Sequence, residues 1–141
     1  PDVQVWTLNL PPEADPRIAP VLGSYYRGKP EAARIHELWT DSKTFEPSEL
    51  AGTMDFVFVD ADHSYDAVMA DTERALKLVR PGGVVLWHDY AAKSPGVVRF
   101  AHDFAKARPL FRIKHTCLLC LIEGVDAESF QPYPMRRGLG D

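Results

Sequence analysis

The chain has 141 residues, of which 45% are hydrophobic and 26% are charged, an ordinary composition for a globular domain. Its 16 Lys and Arg against 20 Asp and Glu give a formal net charge of −4. That charge excludes a strong general attraction to nucleic acid or anionic lipid. The longest purely apolar run, Cys117 to Ile122, is far shorter than the ~20 residues of a membrane-spanning helix. We therefore expect a cytoplasmic protein with neither a nucleic-acid partner nor a membrane partner.

The first third of the chain predicts two strands joined by loops. Val3 to Leu8 is a short β-prone run that stops before Pro11-Pro12, and Arg34 to Trp39 alternates apolar with polar side chains. The stretch from Pro47 to Leu50 is compatible with one short helix.

The middle of the chain carries a clearer strand–helix–strand pattern. Met54 to Val59 and Val84 to Trp87 are mostly apolar runs, typical of strands covered on both faces. The helix between them is expected to start at Ser64 or Asp62 as cap and to end at Pro81-Gly82-Gly83. Its apolar positions form one helical stripe: Val68, Thr72, Ala75, Leu76 and Val79.

The last part of the chain predicts a helix after Pro95 and then two strands, Phe111 to Lys114 and Cys117 to Ile122, in antiparallel contact. Residues 126–141 have no period and are expected to be a surface tail. The alternation of strands and helices predicts an α/β sandwich with a mainly parallel sheet. Ligands of such sheets bind beyond the carboxyl ends of the strands.

The two cysteines, Cys117 and Cys120, have the C-x-x-C spacing of some zinc and redox sites. Residues three apart on one strand point to opposite faces, so the thiols are not expected to converge on a metal. We interpret both as buried structural cysteines.

Acidic and imidazole side chains follow two successive predicted strands. Asp60 ends one strand and Asp89 ends the next, and paired carboxylates favour a cation such as Mg²⁺ between them. His88 or Asp62 is a candidate to complete the site, and His63 is a candidate to accept a proton from a hydroxyl. The alternative interpretation is that these residues only cap the following helices.

The span from Met54 to Tyr90, MDFVFVDADHSYDAVMADTERALKLVRPGGVVLWHDY, carries three motifs that are specific as a set. They are the D-x-D-H-S-Y opening, the P-G-G turn and the H-D-Y strand end. With them the chain resembles class I S-adenosylmethionine-dependent methyltransferases. It is most similar to the bacterial methyltransferase or cephalosporin-hydroxylase-like group, which is related to macrolide-sugar O-methyltransferases. The resemblance reaches from Val5 to about Ile122 and implies a Rossmann-like sheet.

The resemblance also implies cofactor contacts. Asn9 stands where the family places an acidic residue on the ribose hydroxyls, and Asn is a weaker acceptor than a charged group. Asp41 and Ser42 match the polar pair beside the adenine. Asp60 matches the residue that faces the methyl-transfer centre.

Roles in metal binding and proton transfer follow in the same way. In metal-dependent members the residues matching Asp60 and Asp89 ligate Mg²⁺. His88 stands where some relatives have Glu, which leaves the identity of a divalent metal open. His63 matches the proposed general base of the sugar methyltransferases.

The family's first strand and its glycine-rich cofactor loop have no counterpart before Asn9. We therefore expect residues 1–125 to be a partial, N-terminally truncated methyltransferase domain, since a missing central strand would leave backbone groups unpaired.

The leading hypothesis is methyl transfer from S-adenosylmethionine to a hydroxyl of a small molecule, assisted by a metal. One alternative is a non-catalytic domain of the same fold that binds a partner. Another is a metal-dependent nucleotide-sugar glycosyltransferase that uses Asp60 and Asp62 as a D-x-D motif. The sequence leaves a monomer and a homo-oligomer equally open.

Overall fold

The structure, a computed structural model, describes residues 3–14, 16 and 20–125, so the expected tail 126–141 lies outside the described residues. The chain divides into two compact units, residues 1–45 and residues 46–141. Within the described ranges, no helix combines the length and the apolar character needed to cross a membrane. The single partial domain over residues 1–125 stays a prediction.

The first unit is built on a two-stranded parallel sheet of β1 (Val5–Asn9) and β2 (Ile35–Trp39). Both predicted strands are confirmed, with bounds shifted by one or two residues. Short 3₁₀ helices follow β1 at Pro12–Ala14 and precede β2 at Pro30–Arg34. The register pairs Asn9 with Trp39, so both strands finish at the same edge of this sheet.

The second unit is a four-stranded sheet with two helices. Its elements in chain order are a 3₁₀ turn (Ser48–Leu50), β3 (Met54–Val59), α1 (Tyr65–Leu78), β4 (Val79–Trp87), α2 (Pro95–Phe104), β5 (Phe111–Arg112) and β6 (Leu119–Ile122). The strand order is β3-β4-β6-β5. β3 and β4 are parallel, as the crossover helix α1 requires, and β6 is antiparallel to both β4 and β5. The predicted α/β fold with an antiparallel terminal strand pair is confirmed.

The expectation that a central strand of the family's sheet is missing stays a prediction.

One predicted boundary was wrong: α1 ends at Leu78, three residues before Pro81-Gly82-Gly83, and that turn lies within β4. The residue before a proline avoids the helical region, so Arg80 favours an extended backbone ahead of Pro81. Val79, one residue earlier, is already extended (ψ 136°) and is buried in the sheet instead of on the helical stripe. The Pro-Gly-Gly turn shifts the register of β4 against β3.

The core lies between the sheet and the two helices. Its most buried side chains, each at most 1% exposed, include Val85, Trp87, Leu119 and Leu121 from the strands and Phe100 and Ala101 from α2. The Trp87 indole N–H donates to the Thr72 hydroxyl over 2.9 Å, and that hydroxyl donates to the Val68 carbonyl over 2.6 Å. The core thus satisfies its polar atoms where α1 meets β4.

Candidate active site

The carboxyl ends of β3 and β4 place four of the predicted side chains at one edge of the sheet. Asp60 directly follows β3, and His88 and Asp89 directly follow β4. The His88 N–H donates to the Val59 carbonyl over 3.1 Å, which extends the strand pairing by one residue beyond β4. His63 reaches the same edge from the loop that leads into α1.

The strand-end cluster, defined as Asp60, His63, His88 and Asp89, is held by short contacts. Asp89 Oδ2 lies 3.0 Å from His63 Nε2 and 2.9 Å from His88 Nδ1. Asp60 Oδ1 lies 3.5 Å from His88 Nδ1 and 3.9 Å from His63 Nε2. The structure brings these side chains together, and their roles stay predictions.

Asp89 is the buried member of this cluster, with 5% of its surface exposed. Its backbone has a φ of 58°, a region that few residues other than glycine adopt and that is over-represented at functional sites. The Lys93 ammonium lies 2.9 Å from Asp89 Oδ1. The close contacts of this carboxylate with the Lys93 ammonium and then with the His88 imidazole lower the pKa of Asp89 from 3.8 to about 2. Asp89 is therefore a carboxylate throughout the physiological range.

Lys93 is a site residue that the sequence analysis missed. Asp89 in turn raises the pKa of the Lys93 ammonium through their close contact. The sequence feature that could have indicated this pair is the spacing of four residues between Asp89 and Lys93, although the segment between them is not a helix.

The loop that carries His63 is fixed by backbone packing. A side chain at Gly96 would clash with the His63 carbonyl and come within 2.7 Å of the Tyr65 nitrogen, so only glycine allows α2 to approach this closely. Asp62 accepts the Ser64 N–H over 2.7 Å and lies outside the strand-end cluster. It therefore shapes the entry to α1, and the use of Asp60 and Asp62 as a D-x-D motif stays a prediction.

The strand-end cluster fits a divalent cation by its chemistry. One donor atom from each of Asp60, His63 and Asp89 lies within 4.8 Å of the other two. His88 Nδ1 and Asp89 Oδ1 are buried atoms that make no hydrogen bond of acceptable angle, despite their short contacts. Buried polar atoms left in this way are costly unless a further ligand satisfies them.

Cys117 lies beside this cluster, which the sequence analysis did not foresee. Its Sγ is 3.4 Å from His88 Nε2, and its carbonyl accepts the Tyr90 N–H over 2.9 Å. The interpretation as two buried strand cysteines was wrong: Cys117 precedes β6, only Cys120 is in the strand, and both are half-buried. The β5–β6 connection, with His115 at φ 61°, places Cys117 there.

A cavity of about 720 Å³ opens on the far side of His88. His88, Tyr90 and Cys117 form one side of it, and Phe58 and Arg112 contribute to its wall. The Arg112 guanidinium lies 5.8 Å from the centre of the Tyr90 ring. The lining of the cavity therefore combines two aromatic rings, two imidazoles, small apolar side chains and one cation next to the strand-end cluster.

The three predicted cofactor residues of the first unit lie at one edge of its sheet. Asn9 ends β1, and its carbonyl accepts the Thr40 N–H over 2.9 Å just after β2. Asp41 and Ser42 follow at once, and Asp41 Oδ1 accepts the Lys43 N–H over 2.9 Å. Asp60, the fourth predicted cofactor residue, belongs to the second unit.

Comparison with known proteins identifies both family and fold. The profile of a family described as "Methyltransferase domain" matches residues 11–90. No curated protein matches the chain significantly.

Solved structures resemble the chain in fold. A Corynebacterium glutamicum protein has a TM-score of 0.63 at 17% identity, over 87% of this chain and 62% of its own. The SAH-bound Podospora anserina methyltransferase PaMTH1 has a TM-score of 0.61 at 14% identity, over 89% and 62%. The O-methyltransferase NovP has a TM-score of 0.54 at 14% identity, over 85% and 60%. The chain thus spans about 62% of the length of the first two structures.

Proposed function

The chain belongs to the methyltransferase domain family, and from this premise we propose that the protein transfers the methyl group of S-adenosylmethionine to a hydroxyl of a small molecule. SAH, the product that S-adenosylmethionine leaves after methyl transfer, is bound in one structure of the same fold. The observation that carries the proposal is the strand-end cluster, with contacts of 2.9–3.9 Å at the edge where such sheets bind ligands.

His63 is the proposed base for the acceptor hydroxyl. With an N–H on Nε2 directed at Asp89 Oδ2, 3.0 Å away, its Nδ1 is left to accept the proton. The Asp89 carboxylate then stabilises the positive imidazolium that forms. The low pKa of Asp89 suits this role, because the residue stays charged when the imidazole gains its proton.

S-adenosylmethionine supplies an electrophilic methyl group on a sulfonium. Asn9, Asp41 and Ser42 are proposed to bind its ribose and adenine, and Asp60 to face the transferred methyl. The carboxyl edge of the first unit's sheet, where these three polar residues lie, supports the assignment.

Asp60, His88 and Asp89 are proposed to hold a divalent cation, which would lower the pKa of a bound hydroxyl. Asp89 Oδ1, a buried carboxylate oxygen without a well-aligned hydrogen bond, supports this assignment. The protein's own contribution would be orientation: a hydroxyl positioned by His63 would approach the sulfonium in line. The cavity beside His88 is the proposed space for the acceptor.

Calorimetry of the full-length protein with S-adenosylmethionine, followed by a methylation assay, tests the proposal. We expect binding, and we expect His63→Gln to lower kcat by about 10²–10⁴-fold, the usual contribution of a general base. Asp60→Asn and Asp89→Asn should abolish methylation while circular dichroism reports an unchanged fold. Asp55→Asn is the matched control, because the Asp55 side chain is 80% exposed at the start of β3 and pairs with Arg80.

Absence of S-adenosylmethionine binding at millimolar concentration would refute the proposal. Binding with no effect of the three site variants would favour the non-catalytic alternative, and preferential binding of a uridine-diphosphate sugar would favour the glycosyltransferase.

A further inference from the structure

Cys117 and His88 bring a thiol and an imidazole together at the wall of the cavity. The two atoms in contact, Sγ and Nε2, are 3.4 Å apart. The opposite ring nitrogen, Nδ1, faces Asp89 Oδ2 at 2.9 Å. One donor atom from each of Cys117, His88 and Asp89 lies within 4.8 Å of the other two. These three residues are called the Cys117 cluster below.

A second, independent observation points to a ligand at the same place. Asp89 is only 5% exposed, and its Oδ1 makes no hydrogen bond of acceptable angle. The neighbouring charge comes from Lys93, whose side chain is 73% exposed. Because an exposed lysine can move at little cost, it does not prevent a cation from taking this carboxylate.

We propose that the Cys117 cluster binds a borderline d-block cation, such as Zn²⁺ or Co²⁺, in preference to Mg²⁺. This deepens the metal-assisted part of the proposed function and rests on it. Thiolate and imidazole donors favour Zn²⁺ and Co²⁺, whereas Mg²⁺ prefers oxygen ligands and keeps its waters. Asp60 and Asp89 alone would not discriminate strongly between these cations, so Cys117 is the residue that determines the choice.

The spacing agrees with such a cation. Bonds of about 2.0–2.1 Å to nitrogen and 2.3 Å to sulfur in a tetrahedral site separate the two donors by about 3.5 Å. The observed Sγ–Nε2 separation is 3.4 Å.

The cavity gives the cation an open position. Cys117 and His88 both line it, so a water or an acceptor hydroxyl can reach a cation bound between them. Catalytic zinc sites combine three protein ligands with such an open position, whereas structural sites are closed.

Cobalt spectroscopy of the full-length, metal-free protein tests the inference. Titration with Co²⁺ should produce a thiolate-to-cobalt charge-transfer absorption in the near ultraviolet. Cys117→Ser should abolish this absorption and weaken Co²⁺ binding by at least about 10-fold, the lower end of the loss seen for outer-shell partners of metal ligands. Cys120→Ser is the matched control, since Cys120 lies three residues further on, in β6, and is not part of the Cys117 cluster. Zn²⁺ should remove the absorption, and excess Mg²⁺ should not.

A second measurement does not depend on the folding of Cys117→Ser. In Cys120→Ser, where Cys117 is the remaining thiol, Zn²⁺ should slow alkylation by iodoacetamide and Mg²⁺ should not. Alkylation that Zn²⁺ does not slow, or a charge-transfer absorption that persists in Cys117→Ser, would overturn the inference.

The outcomes separate this inference from the proposed function. S-adenosylmethionine binding and methylation without the cobalt absorption would support the proposed methyltransferase activity and reject the Cys117 cluster as a metal site. The cobalt absorption without S-adenosylmethionine binding would support the metal site and reject the proposed reaction.

Discussion

The two faces of the four-stranded sheet differ sharply, although the same strands supply both. On the face that packs against α1 and α2, Val85 and Trp87 of β4 are at most 1% exposed. On the opposite face, Phe56 and Phe58 of β3 are 53% and 49% exposed. Both faces are apolar, so an apolar run in the sequence indicates only that a strand can be buried. The helices that pack against the sheet determine which face is buried.

The largest expected effect comes from comparing one aromatic residue on each face. Trp87→Ala removes a side chain that contacts Phe100 and Phe104 and should lower the free energy of unfolding by about 3–5 kcal/mol. Phe58→Ala should cost about 1 kcal/mol or less, because half of that side chain is already in water. Urea unfolding of the two variants measures the difference. Equal losses would mean that the exposed face is covered in the protein in solution.

A smaller effect is expected from the hydrogen bond that crosses the covered face. Thr72→Val keeps the shape of the side chain but leaves the Trp87 indole N–H buried without its acceptor at 2.9 Å. A buried donor without a partner costs about 1–3 kcal/mol in the free energy of unfolding. Thr72→Ser keeps the hydroxyl and is the control. If Thr72→Val unfolds at the same urea concentration as Thr72→Ser, the hydrogen bond contributes little.

Local patterns in the sequence predicted the elements of this covered layer well. β3 has the predicted bounds, and Trp87, which ends the predicted strand 84–87, is in the core. The predicted end of α1 was wrong because Val79 continues the apolar helical stripe in the sequence, whereas in the structure it is extended and begins β4.

The site was predictable only in part, and the reason is physical. Asp60, His63, His88 and Asp89 could be found because parallel strands end at one edge of a sheet. Cys117 approaches that edge only through the β5–β6 connection, whose bend at His115 requires a positive φ that the sequence does not signal. Contacts between side chains distant in sequence depend on such turns. The contact between Cys117 and His88 was therefore found only in the structure.

The smallest expected effect concerns the charge of Asp89, which is buried at the edge of the covered face and needs a partner to stay ionised. Its pKa of about 2 is below the ordinary 3.8, so its ionic contacts stabilise the fold fully above about pH 4. That stabilisation is lost as the pH falls toward about 2. Lys93→Ala removes the largest cause of the low pKa and should raise the pKa of Asp89, so that the loss begins at a higher pH.

The measurement is a carboxyl-carbon NMR titration of the metal-free protein. Lys106→Ala, which breaks the separate pair with Asp103, should leave the pKa of Asp89 unchanged. An unchanged pKa of Asp89 in Lys93→Ala would mean that the contacts with His63 and His88 keep it ionised. The ammonium would then be dispensable, and a cation would compete only with these two imidazoles for the carboxylate.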